Sequence, residues 1–350
     1  MKKKNSNVYS LKKKLDKKIK TRKIYTNFKL KLEKIIKKKP FVVAVSGGPD
    51  SLALAALSKT YKDENNSKTY FVLVDHGIRK NSEKEASSIK KLLKKSNINL
   101  NIIKNKKKIE KNIQGEARKI RYKLILDFCK KNKVSYILTA HHSDDQVETF
   151  LIRLSRGSGV QGLSSMKNLT KLNNKVKLFR PLLNLKKKDL EFTTKHIFKR
   201  FIHDPSNKDE KFLRTRIRNL VTLFEKSGIH HDQIIKSINN LADTRDTLDK
   251  YFKITLKACV KKHKNKIIID IKKLNIETLE IRLKVLSHVL KVFSKSYYPP
   301  RSKKVINLIK QFAIKDRTKL TLGGCILQKS GNDLIITKEM VKKGKISKIG

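Results

Sequence analysis

Short apolar runs alternate with amphipathic segments along the first half of the chain. Phe41–Val45 contains no polar residue, which is typical of a strand buried on both faces of a parallel sheet. Similar runs and amphipathic stretches continue to Leu154. The predicted strands are Phe41–Val45, Tyr70–Val74, Leu100–Ile103 and Tyr136–Thr139, and the predicted helices are Leu52–Leu57, Ser82–Leu93, Ile113–Cys129 and Asp144–Leu154. This order predicts an α/β fold with a doubly wound, mainly parallel sheet, whose ligands bind at the carboxyl ends of the strands.

The pattern changes after residue 220. Asp232–Lys261 and Asn275–Phe293 have the length and periodicity of long helices. Lys319–Gln328 and Asp333–Thr337 predict two strands joined around a turn, which would form a small C-terminal β element. The expected parts are a basic N-terminal arm and helix over 1–38, an α/β domain over 39–220, a helical region over 221–318, and a β-hairpin with a tail over 319–350.

The chain is strongly basic. Its 86 Lys and Arg oppose 30 Asp and Glu, which gives a formal net charge of +56. A polyanion would relieve the self-repulsion, so nucleic acid is the first partner to consider and an anionic membrane the second. Because 71 of the basic residues are Lys and only 15 are Arg, a compositional bias explains the charge equally well. The scarcer arginines should therefore carry more information, since the planar guanidinium recognises phosphate at two points.

Several classes of protein are not expected from this sequence. Cys129, Cys259 and Cys325 are too widely spaced for a CxxC pair, which disfavours a disulfide framework and a cysteine zinc site. No apolar run reaches the length of about 18 residues expected of a membrane span, and the lysine-rich N-terminus lacks the apolar stretch of a signal peptide. We expect a cytoplasmic protein with no membrane partner.

A glycine-rich turn, Ser46-Gly47-Gly48-Pro49-Asp50-Ser51, separates the first predicted strand from the first predicted helix. Glycine permits close approach of the backbone, the start of a helix offers unpaired N–H groups, and the serines add donors, so the turn suits a phosphate. It matches neither GxxxxGK[ST] nor GxGxxG. The alternative is an ordinary tight turn in which Gly and Asp serve geometry and helix capping.

This turn closely resembles the SGGxDS signature of the PP-loop ATP pyrophosphatases, which cleave ATP between its α and β phosphates and activate a substrate as an adenylate. Six further motifs occur in the order seen in the tRNA(Ile)-lysidine synthetase family. They are Val74-Asp75-His76-Gly77-Ile78-Arg79, Ala117-Arg118-Lys119-Ile120-Arg121-Tyr122, His141-His142-Ser143-Asp144-Asp145-Gln146-Val147-Glu148-Thr149, Arg156-Gly157-Ser158-Gly159, Arg180-Pro181-Leu182-Leu183 and Asp204-Pro205-Ser206-Asn207. The resemblance implies an adenine-nucleotide alpha hydrolase-like fold.

The same resemblance implies a reaction. Enzymes of this family use ATP and Mg²⁺ to adenylate C2 of cytidine 34 in tRNA(Ile) with a CAU anticodon, and L-lysine then displaces AMP. The product, lysidine, converts decoding from AUG to AUA. Residues 39–220 would form the catalytic domain that binds ATP, and residues 221–318 would bind the tRNA. The sequence leaves open whether the protein forms a homodimer.

Site residues follow from the resemblance residue by residue. Ser46–Ser51 would bind ATP, and Asp50 would either position Mg²⁺ or cap the helix. Asp145 and Glu148, three apart on one helix face, would bind the ammonium groups of lysine, although acids at a helix start are also favoured by the macrodipole. Arg118 and Arg121 can share a helix face, and one of them, which we expect to be Arg121, would neutralise charge developing on the α-phosphate; the alternative is that both are ordinary surface arginines.

Other residues are assigned supporting roles or contacts to RNA. The supporting residues are Asp75, His76, His141, His142 and Asp144, and the candidates for tRNA backbone contacts are Arg156, Arg214, Arg216 and Arg218. A structural zinc site at the paired histidines is disfavoured, because adjacent histidines cannot easily point to one ion.

Two other functions remain as alternatives. One is a different PP-loop enzyme that modifies tRNA, such as a thiolase, although thiolation usually recruits paired cysteines. The other is a non-catalytic basic RNA-binding protein, against which the intact Ser46–Ser51 turn and its companion motifs argue.

Overall fold

The computed structural model describes residues 8–78, 81–105, 113–201, 210–296, 299–314 and 319–339. The chain divides into two compact units, Met1–Leu241 and Ala242–Gly350. Two motif segments of the sequence, Arg79 and Asp204–Asn207, lie outside the described residues.

The first unit is an α/β structure. Its described helices are α1 (Val8–Asp16), α2 (Ile19–Ile35), α3 (Pro49–Asn65), α4 (Ser82–Lys94), α5 (Ile113–Lys131), α6 (Ser143–Leu154), α7 (Val160–Leu163), α8 (Lys187–Phe198) and α9 (Leu213–Lys226), and its described strands are β1 (Phe41–Val45), β2 (Thr69–Asp75), β3 (Leu100–Lys104), β4 (Tyr136–Leu138), β5 (Leu169–Lys171) and β6 (Lys177–Phe179). The six strands form one sheet in the order β3-β2-β1-β4-β6-β5. All neighbouring pairs are parallel except β5 with β6. The predicted doubly wound, mainly parallel sheet is confirmed.

Both faces of this sheet are buried, which explains why its strands lack polar alternation. Val43 and Val45 of β1 belong to the core on one face, and Val42 belongs to the core on the other face. Helix α3 packs on the first face through a nearly continuous buried run, Ser51–Tyr61. A strand covered on both sides gains burial energy at every position and so needs no polar face.

The basic N-terminal segment is part of this first unit. Helices α1 and α2 bury Leu15, Tyr25, Phe28 and Leu32 in the same core as α3, while the lysines between these positions are largely exposed. The apolar residues recur at helical spacing, so the lysine-rich composition does not prevent packing.

Helix α9 also belongs to the first unit, so residue 220, the expected domain boundary, lies inside a helix. Ile217 of α9 packs in a small core with Val147 and Leu151 of α6. This packing joins α9 to the sheet domain, and the division between units falls after Leu241, within α10 (His231–Cys259).

The second unit combines helices with an antiparallel sheet. Besides the end of α10 it contains β7 (Val260–Lys262), β8 (Lys266–Asp270), α11 (Ile271–Asn275), α12 (Leu279–Phe293), α13 (Ser302–Ile314), β9 (Lys319–Leu322), β10 (Cys325–Ser330) and β11 (Asp333–Lys338). The sheet order is β7-β8-β11-β10-β9, and every neighbouring pair is antiparallel.

Three details of the second unit differ from the sequence prediction. The strand predicted over Lys319–Gln328 is two strands, because Gly323 and Gly324 adopt φ of 63° and 76° and turn the chain. The helix predicted over Asn275–Phe293 begins at Leu279, after the separate helix α11. Strands β7 and β8 lie in the region predicted to be helical; β8 contains three consecutive isoleucines, of which Ile267 and Ile269 enter the core, so its sequence shows no polar alternation.

No helix in the described part of the chain combines the length and apolar character needed to cross a membrane.

Candidate active site

The site lies where the chain reverses its direction of travel across the parallel sheet. Strands β1 and β4 are neighbours, but β2 and β3 follow β1 on one side, while β4 and β6 extend the sheet on the other. The loops after β1 and β4 therefore leave the sheet in opposite directions and open a crevice between them, the usual ligand position in this kind of fold. These loops carry the Ser46–Ser51 turn and the His141–Glu148 motif.

The glycine-rich turn is closed by the hydroxyl group of Ser51. The backbone N–H groups of Ser46 and Gly47 each donate to Ser51 Oγ at 3.1 Å, and Ser51 Oγ donates to the carbonyl oxygen of Gly48 at 3.0 Å. Gly47 has a φ of 89°, which favours glycine. Gly48 provides no side-chain cap for α3, so the N–H groups of its first turn are available to an anion.

Asp50 lies in the first turn of α3 and faces the loop that follows β4. Its Oδ2 atom is 3.6 Å from Nε2 of His142. Its Oδ1 atom is buried and has no hydrogen-bond partner among the described residues. An orphaned carboxylate oxygen beside a phosphate-binding turn fits Mg²⁺, which typically takes one or two protein carboxylates and completes its shell with phosphate oxygens and water. Across the described ranges no group of three His, Cys, Asp or Glu side chains forms a metal site.

His142 is a buried cation between three carboxylates. Burial opposes its charge, but the nearby carboxylates of Asp144, at 3.5 Å, and Asp50, at 3.6 Å, and the charge of Asp145 outweigh burial and raise the pKa of His142 to about 10. Burial likewise opposes ionisation of Asp144, yet the close contact with His142 and the backbone N–H of Lys187, which donates at 2.8 Å, hold the pKa of Asp144 well below its usual range. The imidazolium thus joins the turn after β1 to the start of α6.

The start of α6 is capped by the residues of the same motif. The backbone N–H of His142 donates to Asp145 Oδ2 at 3.2 Å, while Asp145 N lies 3.4 Å from His142 Nδ1. A protonated imidazole ring has no acceptor nitrogen, so the shorter bond, to Asp145, provides the cap. Asp145 therefore has a structural bond on one oxygen, and its Oδ1 lies 3.9 Å from Nη2 of Arg214.

Glu148 is buried and paired with two arginines of α9. Arg218 Nε donates to Glu148 Oε1 at 2.5 Å, and Arg214 Nε lies 3.3 Å from Glu148 Oε2. Arg214 and Arg218 are four residues apart on α9 and so share a face. Arg216 points elsewhere, is exposed, and donates from Nη1 to the carbonyl oxygen of Glu210 at 3.0 Å. The three arginines are spaced by two residues in the sequence, but on helix α9 Arg216 lies on a different face from Arg214 and Arg218.

Arg121 and His76 meet on another side of the crevice, where the loop after β2 faces α5. Arg121 Nε donates to His76 Nε2 at 3.3 Å. Burial, reinforced by the charge of Arg121, lowers the pKa of His76 to about 4, so the ring is neutral. Asp75, the last residue of β2, accepts the N–H of Gly77 at 3.0 Å and fixes this loop.

His141 is the second neutral histidine of the site. Its Nδ1 atom is 2.8 Å from Thr139 Oγ1. Burial lowers the pKa of His141 to about 3; Asp145 opposes the shift, and the charges of Arg180, Arg118 and Arg214 add to it. The paired histidines therefore differ in charge: His142 lies among carboxylates and His141 faces arginines.

The structure brings most predicted residues together and leaves two apart. Arg156 is exposed in the loop after α6, and Arg216 is exposed on α9. Arg180, the first residue of the Arg180-Pro181-Leu182-Leu183 motif, received no site role from the sequence; it is 7% exposed and follows β6 at the same edge of the sheet. The available signal was the motif itself, which places one of only 15 arginines in a chain that otherwise uses lysine.

Comparison with known proteins agrees with this architecture. A family model described as a PP-loop domain matches residues 17–224. The tRNA(Ile)-lysidine synthase of Wolbachia pipientis wMel is 37% identical over 303 residues, covering 85% of this chain and 70% of that protein. The tRNA(Ile)-lysidine synthase of Orientia tsutsugamushi (strain Boryong) is 34% identical over 317 residues, covering 85% of this chain and 69% of that protein.

A solved structure with a similar fold is the U34-tRNA thiolase NcsA from Methanococcus maripaludis with its [4Fe-4S] cluster. It aligns with a TM-score of 0.55 at 18% identity and covers 64% of this chain and 79% of that chain. The likeness concerns the fold alone.

Proposed function

The chain belongs to the tRNA(Ile)-lysidine synthase family of PP-loop proteins, and we propose that it ligates lysine to C2 of cytidine 34 in tRNA(Ile) with a CAU anticodon. The first step adenylates C2 at the expense of ATP and releases pyrophosphate. In the second step the amino group of lysine displaces AMP. The observation that carries this proposal is the meeting of the Ser46–Ser51 turn with the acidic start of α6 in one crevice.

The glycine-rich turn and α3 are proposed to hold the phosphates of ATP. The N–H groups of the first turn of α3 have no side-chain cap, and the helix dipole favours an anion there. Mg²⁺, when bound, would neutralise phosphate charge, and Asp50 Oδ1 is the protein atom that would hold it. His142 would keep Asp50 in place from the opposite loop.

Arg121 is proposed to face the α-phosphate during adenylation. Its partner His76 is neutral, so the hydrogen bond orients the guanidinium without cancelling its charge. A preorganised cation of this kind stabilises charge that develops in the transition state.

Asp145 and Glu148 are proposed to bind the ammonium groups of lysine. Glu148 is already paired with Arg218, and the contacts of Arg214 are longer, at 3.3 Å to Glu148 and 3.9 Å to Asp145. Arg214 is also the more exposed of the two arginines. We therefore expect the ammonium of lysine to replace Arg214 between the carboxylates while Arg218 stays in place.

Arg156 and Arg216 are proposed to contact the tRNA backbone, because both are exposed and lie outside the carboxylate cluster. Arg214 and Arg218, which were expected to share this role, face Glu148 instead. Residues 221–318, which contain strands β7 and β8 besides their helices, would support the body of the tRNA, with the reaction taking place in the cytoplasm.

The cysteines favour ligation over thiolation. Cys129, Cys259 and Cys325 are all buried free thiols. Burial raises the pKa of Cys129 to about 12, so this thiol is not a nucleophile near neutral pH.

A lysine-incorporation assay tests the proposal. Full-length protein with ATP, Mg²⁺ and radiolabelled lysine should label tRNA(Ile) with a CAU anticodon. Methionine tRNAs, which share the CAU anticodon, are the matched control and should stay unlabelled. Absence of labelling, with ATP and tRNA both shown to bind, would overturn the assignment.

A further inference from the structure

Arg180 holds a defined position at the active-site edge of the sheet. It directly follows β6, and the N–H of Thr139, after β4, donates to the carbonyl oxygen of Phe179 at 3.1 Å. Its own N–H donates to the carbonyl oxygen of Asn168 at 2.8 Å. The backbone on both sides of Arg180 is therefore fixed next to the loop that carries His141.

The guanidinium of Arg180 is buried without a negative partner. Nη1 donates to the carbonyl oxygen of Lys167 at 2.7 Å and to Thr170 Oγ1 at 2.9 Å, and both acceptors are neutral. Nε is buried and has no hydrogen-bond partner in the part of the chain that the structure describes. The described groups that act on the charge of Arg180 are Tyr122, Arg118 and Arg153, and none of them is a carboxylate. A buried cation is costly unless an anion and hydrogen bonds compensate it.

The surroundings of Arg180 add positive charge. Burial lowers the pKa of Arg180; Tyr122 opposes the shift, and the charges of Arg118 and Arg153 reinforce it. Arg118 itself lies over the ring of Tyr122, with 5.2 Å between the guanidinium carbon and the ring centroid. Arg214 and Arg218, by contrast, face the carboxylate of Glu148. The charged neighbours of Arg180 are therefore positive, whereas the arginines of α9 have a carboxylate partner.

We propose that Arg180 binds a phosphate group of the substrates through its unpartnered Nε edge. The inference rests on the proposed function, since ATP and tRNA are the two sources of phosphate in that reaction. An incoming phosphate would supply both the missing acceptor and the missing negative charge. Arg180 would then act on phosphate, as proposed for Arg121, while the carboxylates of Asp145 and Glu148 bind lysine.

Equilibrium binding to the full-length protein tests this role. The probes are α,β-methylene ATP with Mg²⁺ and, separately, unmodified tRNA(Ile). Arg180→Gln should weaken binding of one probe by about tenfold to a hundredfold, the usual value of a charge-assisted hydrogen bond. Arg180→Lys keeps the charge and should lose less. A loss confined to the nucleotide identifies the phosphate as that of ATP, and a loss confined to tRNA identifies a backbone phosphate.

Two control variants separate phosphate binding from folding. Arg153→Gln removes an arginine that, like Arg180, donates to backbone carbonyl oxygens, here those of Gly162 and Ser165. Thr170→Val removes the hydrogen bond that Arg180 donates to the hydroxyl of Thr170 and keeps the guanidinium of Arg180 itself. Both should bind the nucleotide within about twofold of the unaltered protein. For the tRNA probe Thr170→Val alone is the control, because Arg153 also fastens the loop that carries Arg156.

Unchanged affinity of Arg180→Gln and Arg180→Lys for both probes would overturn the proposal and leave Arg180 a structural residue. If Arg180→Gln does not fold, the affinities of Arg180→Lys for the two probes are compared with those of Thr170→Val instead. Neither outcome depends on lysine incorporation, so failure of this inference is distinguishable from failure of the proposed function.

Discussion

Asp145 shows how one side chain serves both the fold and the proposed chemistry. Its Oδ2 atom accepts the N–H of His142, and its Oδ1 atom is the part of the carboxylate nearest Arg214. An asparagine at this position can keep the capping bond through its amide oxygen while losing the negative charge. The charge is the property that binding an ammonium group requires.

The first prediction concerns Asp145→Asn. We expect the KM for lysine to rise about tenfold to a hundredfold, because a charge-assisted contact is lost, while pyrophosphate release in the presence of tRNA persists. Two quantities are measured for each protein: the rate of lysine incorporation as a function of lysine concentration, and the rate of pyrophosphate release in the presence of tRNA. Equal loss of both activities would show that Asp145 acts in adenylation and not in lysine binding.

The two neutral histidines give the stability of the protein a defined dependence on pH. In the folded protein the pKa of His76 is lowered to about 4 and that of His141 to about 3, against an ordinary value of 6.5 for each. Between these values the unfolded chain binds protons that the folded chain does not. The contribution of each ring to stability is therefore complete above pH 6.5 and is lost as the pH falls toward the folded pKa.

The second prediction follows from this loss of stability at low pH. The thermal unfolding midpoint of the protein should fall as the pH decreases from about 6.5 to 4, and His76→Asn should show a shallower fall. Asparagine retains an oxygen that can accept the N–H of Arg121, which makes it a conservative replacement. Identical pH profiles for the two proteins would mean that His76 is protonated as readily in the folded state as in the unfolded state.

At the scale of elements, side chains of α6 fasten helix α7 and the loop that follows it by bonding their backbone. Arg153 Nη1 donates to the carbonyl oxygen of Gly162 at 2.6 Å, and Gln146 bonds both the N–H and the carbonyl oxygen of Met166, at 2.8 Å and 3.1 Å. A Cβ on Gly162 would lie 2.6 Å from Cβ of Ser158. The loop that presents Arg156 is therefore closed by a contact that only glycine permits.

The third prediction uses this contact. Gly162→Ala should lower the free energy of unfolding by about 1–3 kcal/mol, because the neighbouring backbone must shift. Adding Ser158→Gly removes the opposing Cβ and should restore much of the loss. Gly159→Ala is the control, since an added Cβ there meets open space. Denaturant unfolding measures all four proteins; equal destabilisation by Gly162→Ala and Gly159→Ala would contradict the proposed clash.

The elements also show what the sequence predicts well and where it fails. Strands of the parallel sheet are predictable because both faces are buried, so that a run such as Phe41–Val45 is apolar throughout. Strand β8 escapes prediction because its pairing is distant in sequence: Ile268 lies opposite Ile335 of β11. Local periodicity holds no information about such a partner.

The same limit applies to the active site. Motifs and the order of strands place the Ser46–Ser51 turn and the start of α6 at one edge of the sheet. The pairing of Glu148 with Arg218 spans 70 residues, and the spacing of the arginines by two conceals which of them share a helix face. The missing negative partner of Arg180 is likewise visible only after the chain is folded.

At the scale of the whole molecule, the net charge of +56 concerns the affinity for RNA and not the place of the reaction. A large positive charge attracts any polyanion, and each phosphate contact releases counterions, so binding to tRNA should weaken steeply with salt. The residues that define the crevice are mostly acids, histidines and a few arginines, several of which neutralise one another. Total charge therefore indicates the strength of RNA attraction and not the place of the reaction.

The final prediction compares two arginines of α9, one proposed to contact RNA and one paired within the protein. Arg216→Gln removes an exposed cation from α9, whereas Arg218→Gln removes a cation paired with buried Glu148. If Arg216 contacts a backbone phosphate, the slope of log affinity for tRNA against log salt should fall by about 1. Arg218→Gln should leave that slope unchanged and lower stability, because it leaves a buried carboxylate without its closest cation. Binding titrations at several salt concentrations measure the slopes, and a change in slope for Arg218→Gln alone would place the RNA contact on the opposite face of α9.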